Sequence, residues 1–190
     1  MTRLSSRAAV LGALFAACSG VLAQEMPGKA TKAITCAVEG LPTRLEAAGA
    51  LSFRRTIEAS PLYALPAASE GLVTCRVRHQ ANSVLVLEYR FRHGGTLTVT
   101  RNERIQYLEQ EGRFDLPTDE AAEMLLVGAE HAAFGTKGCG IDWHQSHNRL
   151  AENDPGATET IYEGDVCNCQ ARIRRRADGN VSRLLFRSAC

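Results

Sequence analysis

Few features that mark an enzyme or a membrane protein at sight occur in these 190 residues. There is no Gly-x-Ser-x-Gly, no His-Glu-x-x-His and no phosphate-cradling glycine-rich loop, so the common hydrolase, zinc-protease and nucleotide-binding signatures are missing. Cys-x-x-Cys is also missing, which removes the usual thioredoxin-like redox motif. No apolar run reaches the about 20 residues that a transmembrane helix needs. Charge of one sign is lacking too. With 22 basic and 21 acidic side chains, the formal net charge is +1, which gives no case for a nucleic-acid binder. There is no internal repeat and no low-complexity tract.

What is present begins at the N-terminus. Met1–Arg7 carries Arg3 and Arg7 and no acid, and the apolar run Ala8–Ala17 follows, then small residues. That order is the pattern of a secretion signal. Val21-Leu22-Ala23 before Gln24 has small residues where a signal peptidase reads, so residues 1–23 are expected to be removed. Phe15-Ala16-Ala17-Cys18 offers an alternative, lipidation of Cys18 within a lipobox. Cleavage after Ala23 fits better, because Phe15 stands where a lipobox usually has Leu. Either cut discards Arg3 and Arg7, leaving 20 basic against 21 acidic side chains. The expected compartment is the periplasm, with an outer-membrane lipoprotein or a secreted protein as alternatives.

Six cysteines remain: Cys36, Cys75, Cys139, Cys167, Cys169 and Cys190. An even set in an oxidising compartment reads as disulfides before it reads as metal ligands. The single residue between Cys167 and Cys169 is also poor spacing for chelation.

Residues 24–33 are polar, contain Pro27-Gly28 and read as a flexible lead, with one domain over 34–190. Ile34–Val38 alternates as a short strand, and Leu51–Ile57 reads as another. Ser60–Ser69, with Pro61 and Pro66, reads as a long loop. From Leu72 to Arg101 apolar and polar residues alternate through three runs separated by turn residues, the mark of a β-meander. The apolar match favours three-residue loops: Gln80-Ala81-Asn82, with Val77 opposite Leu85, and His93-Gly94-Gly95, with Phe91 opposite Leu97. In the second loop Gly95 takes the left-handed position.

Leu116-Pro117-Thr118-Asp119-Glu120 opens a helix, with Thr118 as N-cap, acids in the first turn and Gly135 as the stop. Gly128 within it points to close packing on the sheet. Asn148–Thr158 reads as a polar loop. A final hairpin turns on Asp178-Gly179. That register sets Ile173 opposite Leu184, Ala171 opposite Phe186 and Cys167 opposite Cys190. The disulfides expected are therefore Cys167–Cys190, Cys139–Cys169 and Cys36–Cys75, with exchange of Cys167 and Cys169 between partners as the nearest competitor. The fold expected is α+β: an antiparallel sheet with one main helix packed on it, stapled by disulfides.

Two candidate sites emerge. Arg172, Arg174, Arg176, Arg183 and Arg187 share the face of the final hairpin opposite the apolar one, as do Arg76, Arg78, Arg90 and Arg92 in the meander. Such a face can meet an anionic partner. The commoner role of such a face is to keep the solvent side of a sheet soluble, or to be covered by the acidic stretch Glu109–Glu130. The second candidate is Asp142, His144 and His147 around the only tryptophan, Trp143, with His144 and His147 as weak metal ligands or an acid–base pair. No third ligand or nucleophile is placed by spacing, so no catalytic residue and no cofactor is assigned. The expected function is a non-catalytic interaction protein, inhibitor- or immunity-like. Its partner would be another envelope protein or an anionic envelope component, and a membrane would be met only through lipid on Cys18. The alternative is a metal-binding protein or small enzyme at Asp142, His144 and His147.

Overall fold

The structure is a computed structural model that describes residues 34–190 except Pro42 and Asn153. The signal, Cys18 and the lead lie outside the described residues. The fold is α+β: one nine-stranded sheet and three helices. The strands are β1 (Ala37–Glu39), β2 (Leu72–Gln80), β3 (Val84–Phe91), β4 (Thr96–Asn102), β5 (Tyr107–Arg113), β6 (His147–Leu150), β7 (Thr158–Glu163), β8 (Gln170–Arg175) and β9 (Val181–Ala189). Their spatial order is β1-β2-β3-β4-β5-β9-β8-β7-β6. Every pairing is antiparallel except β1 with β2, a departure from the fully antiparallel sheet expected.

Two helices replace the strand and the loop expected before Leu72. In α1 (Arg44–Glu58), Ala50, Phe53 and Ile57 are buried, the three-and-four spacing of a helix face. Thr43 caps it, its hydroxyl accepting from the Glu46 amide. In α2 (Pro61–Glu70), Ser60 is the N-cap and Pro61 the first helical residue, where its missing N–H costs nothing. Ser-Pro is therefore a helix start here, not a loop mark.

α3 (Asp119–Phe134) has the Thr118 cap and Gly135 stop expected from sequence. Gly128 packs elsewhere than expected. A Cβ there would lie 2.4 Å from the Pro61 ring, so its smallness admits α2 rather than the sheet.

The meander faces agree with the alternation, but both pairings are offset by two residues. Val77 lies opposite Leu87 and Tyr89 opposite Leu97. An offset of two keeps every side chain on its face, which is why the apolar pattern could not detect it. The loops are Ala81–Ser83, with Ser83 left-handed (φ 62°), and Arg92-His93-Gly94, with Gly94 left-handed (φ 92°). Gly95 is instead inward, where a Cβ would press within 3.0 Å of the Phe114 ring. The final hairpin has the expected pairs from Gln170 to Arg174, but a bulge between Arg174 and Arg175 shifts the turn: Arg176, not Ala177, faces Asn180, and of Asp178 and Gly179 only Gly179 is left-handed. β6 occupies the start of the polar segment read as a loop.

All three expected disulfides are present, Cys36–Cys75, Cys139–Cys169 and Cys167–Cys190. They are compatible with an extracytoplasmic location. Among the described residues no helix is long and apolar enough to cross a membrane. The helices cover one face of the sheet. Their buried residues join Cys75, Leu87, Tyr89, Leu97, Val99, Ile173, Leu184 and Phe186 in one cluster. Val86, Ile161 and Leu185 point to the other face and lie outside that cluster, though each is buried.

Candidate functional site

The face away from the helices carries the arginines. Across β9, β8, β7 and β6 one row runs Leu185, Arg172, Ile161, His147. The next runs Arg183, Arg174, Glu159, Arg149. Arg187 lies on the far side of Leu185 from Arg183, so Arg172 has both as diagonal neighbours on β9. Ile161 and Leu185 are buried in this face beside the arginines, whose aliphatic stems suit such apolar neighbours.

Acids partly balance the cluster. Glu159 takes Arg149 at 2.8 Å and Arg172 at 4.0 Å, and Glu111 on β5 takes Arg183 and Arg113, each at 2.8 Å. Two carboxylates thus serve four guanidiniums. Arg174 reaches Asp154 at 3.6 Å and donates to the Glu152 carbonyl, and Arg176, in the turn, reaches Asp115 at 3.3 Å. Arg187 stands opposite Glu109, whose carboxylate accepts from the Tyr107 hydroxyl.

The balance is incomplete. Burial, then Arg187 and Arg149, and also Arg183, hold the Arg172 guanidinium below its ordinary value against the pull of Glu159. Burial alone would raise the Glu111 carboxyl, but hydrogen bonds from Arg113 and Arg183 lower it overall. Of the meander arginines, Arg78 pairs with Glu88 and Arg76 with Glu39. The acidic helix does not cover the arginine face. Asp119 meets Arg175 instead, at the end of β8.

Asp142, His144 and His147 do not converge. All three are exposed; Asp142 accepts from the His144 amide at 2.9 Å, and His147 sits on β6 beside Ile161. Among the described residues the one trio of Cys, His or acidic side chains with ligand atoms within 4.8 Å of one another is Cys36, Glu58 and Cys75. Its sulfurs are joined in a disulfide. Trp143 serves the fold. Its indole N–H donates to buried Glu130 at 3.0 Å, and the second Glu130 oxygen accepts from the Cys139 amide at 2.7 Å.

Sequence reasoning missed Arg149, hidden in a segment read as a loop, and Glu130, read as part of an acidic surface. It also passed over Arg101. The alternation Leu97, Val99, Arg101 already placed that residue on the inward face, where Leu85 and Leu108 flank it. No protein family, characterised protein or solved structure matches this chain.

Proposed function

We propose that the protein is a non-catalytic binding protein of the periplasm, exported by residues 1–23, that recognises an anionic envelope component through the guanidinium cluster of β6–β9. One observation carries the reading: Arg174 and Arg183 stand directly opposite each other on neighbouring strands, with Arg172, Arg187 and Arg149 around them. Like charges at directly opposed positions cost stability. The five guanidiniums are met by only three carboxylates, Glu159, Glu111 and Asp154, and a guanidinium's planar N–H donors match the carboxylates and phosphates of an anionic partner.

Capture from periplasmic extract at low and at high salt tests this. Salt-sensitive capture, lost in an Arg174→Gln/Arg183→Gln double variant, is expected, since screening weakens exposed charge contacts. Salt-insensitive capture, or equal capture by the variant, contradicts it. Stoichiometric metal lost in His144→Ala and His147→Ala would contradict the non-catalytic part.

A further inference from the structure

We propose that a second site, on the helical face and independent of the arginine cluster, binds an amphipathic organic anion of the fatty-acid type. It is the cleft between α1, the last turn of α3 and the ends of β4, β5 and β9. Its cavity is about 580 Å³, within the range of small-molecule sites.

The lining suits an apolar body with one charged end. Phe53, Ile57, Leu108 and Phe134 supply apolar wall and floor. Arg101 supplies the charge. It occupies an inward position of β4, where alternation calls for an apolar residue, and its guanidinium lies 4.9 Å over the Phe53 ring. The side chain remains 39% exposed, and its partner Glu103, at 3.0 Å, is 66% exposed. A ligand carboxylate can therefore take the place of Glu103, which swings into water.

Gly49 gives an independent indication. It lies inside α1, where glycine weakens a helix relative to alanine. Among the described residues a Cβ at Gly49 would meet nothing within 4 Å, so none of their contacts requires its smallness. It lines the cleft, and it also lines a second hollow of about 260 Å³ that Leu45 and Leu85 border. A bound molecule passing close to the α1 backbone gives the glycine a reason.

The test is calorimetric titration of the disulfide-bonded chain with dodecanoate, and with dodecanol as the uncharged counterpart. The wild type is expected to show one saturable site for dodecanoate. Dodecanol with the wild type, and dodecanoate with Arg101→Gln, are each expected to bind about tenfold more weakly. Glu103→Gln should tighten binding by freeing Arg101. Gly49→Leu should abolish binding while leaving the thermal midpoint equal or higher, and Ser52→Leu on the same wall replaces it if that variant does not fold. Absence of a saturable site overturns the proposal. So does equal affinity for dodecanol, or binding unchanged when the wall is filled.

Discussion

Arg174 on β8 stands directly opposite Arg183 on β9, on the face away from α1, α2 and α3. Fold stability alone does not favour that pair. Replacing Arg174 with Thr removes the repulsion and supplies a residue suited to strands. The thermal midpoint of Arg174→Thr is expected to stay level or rise, the gain being at most about 1 kcal/mol. Capture of the anionic partner should weaken in the same variant. A clear loss of stability would mean that the arginine holds the hairpin rather than a ligand.

Glu130 ties the loop after α3 to the helix through the Cys139 amide and the Trp143 indole. Glu130→Ala leaves two donors without their partner, and a cost of about 2–4 kcal/mol is expected by denaturant unfolding. Gly138→Ala should act on the same contact, because its φ of +61° disfavours a side chain and a Cβ would lie 2.5 Å from the Glu130 carboxylate. If both variants unfold at the wild-type midpoint, the clamp is not structural.

The Cys167–Cys190 bridge closes a loop of 23 residues at the end of the chain. In the chain-entropy account a loop of that size is worth about 3 kcal/mol. Cys190→Ser should lose roughly that much stability and expose one titratable thiol at Cys167. Unfolding at an unchanged midpoint would show that the final hairpin holds without its staple.

Burial first, then the hydrogen bond to Glu109, pushes the Tyr107 hydroxyl from 10.0 up to about 12. Burial likewise raises Tyr89 and Tyr162. A raised folded-state pKa means that the unfolded chain ionises first. Stability from these groups is therefore full below about pH 10 and falls as pH climbs toward the folded values. Alkaline unfolding followed by tyrosinate absorbance should start above about pH 10, with a weaker pH dependence in Tyr107→Phe. Ionisation of all tyrosines at the ordinary value without unfolding would contradict the burial assigned to them.

The α+β class and the apolar pairs of the final hairpin were legible because they rest on local rules, and the Cys167–Cys190 pairing followed from that hairpin, with the other two bridges assigned to the cysteines that remained. Ile173 falls opposite Leu184 as the alternation expects, though across a bulge beside the turn, and Cys167 reaches Cys190 from a left-handed turn before β8 rather than along the strand. The first helices were not legible as such. Leu51–Ile57 alternates well enough to read as a strand, and the Thr43 cap that decides otherwise lies eight residues earlier. The arginine face was legible as a pattern along the final hairpin. Its completion by Arg149 and its balance by Glu159 were not, because both come from strands that join the sheet through tertiary pairing.

The dependence of partner capture from envelope extract on salt, in the wild type and in Arg174→Gln/Arg183→Gln, tests the central claim most directly. The account predicts capture that falls steeply as salt rises, with weaker capture and a shallower dependence in the double variant. Salt-independent capture, or identical salt dependence in the two proteins, would contradict it.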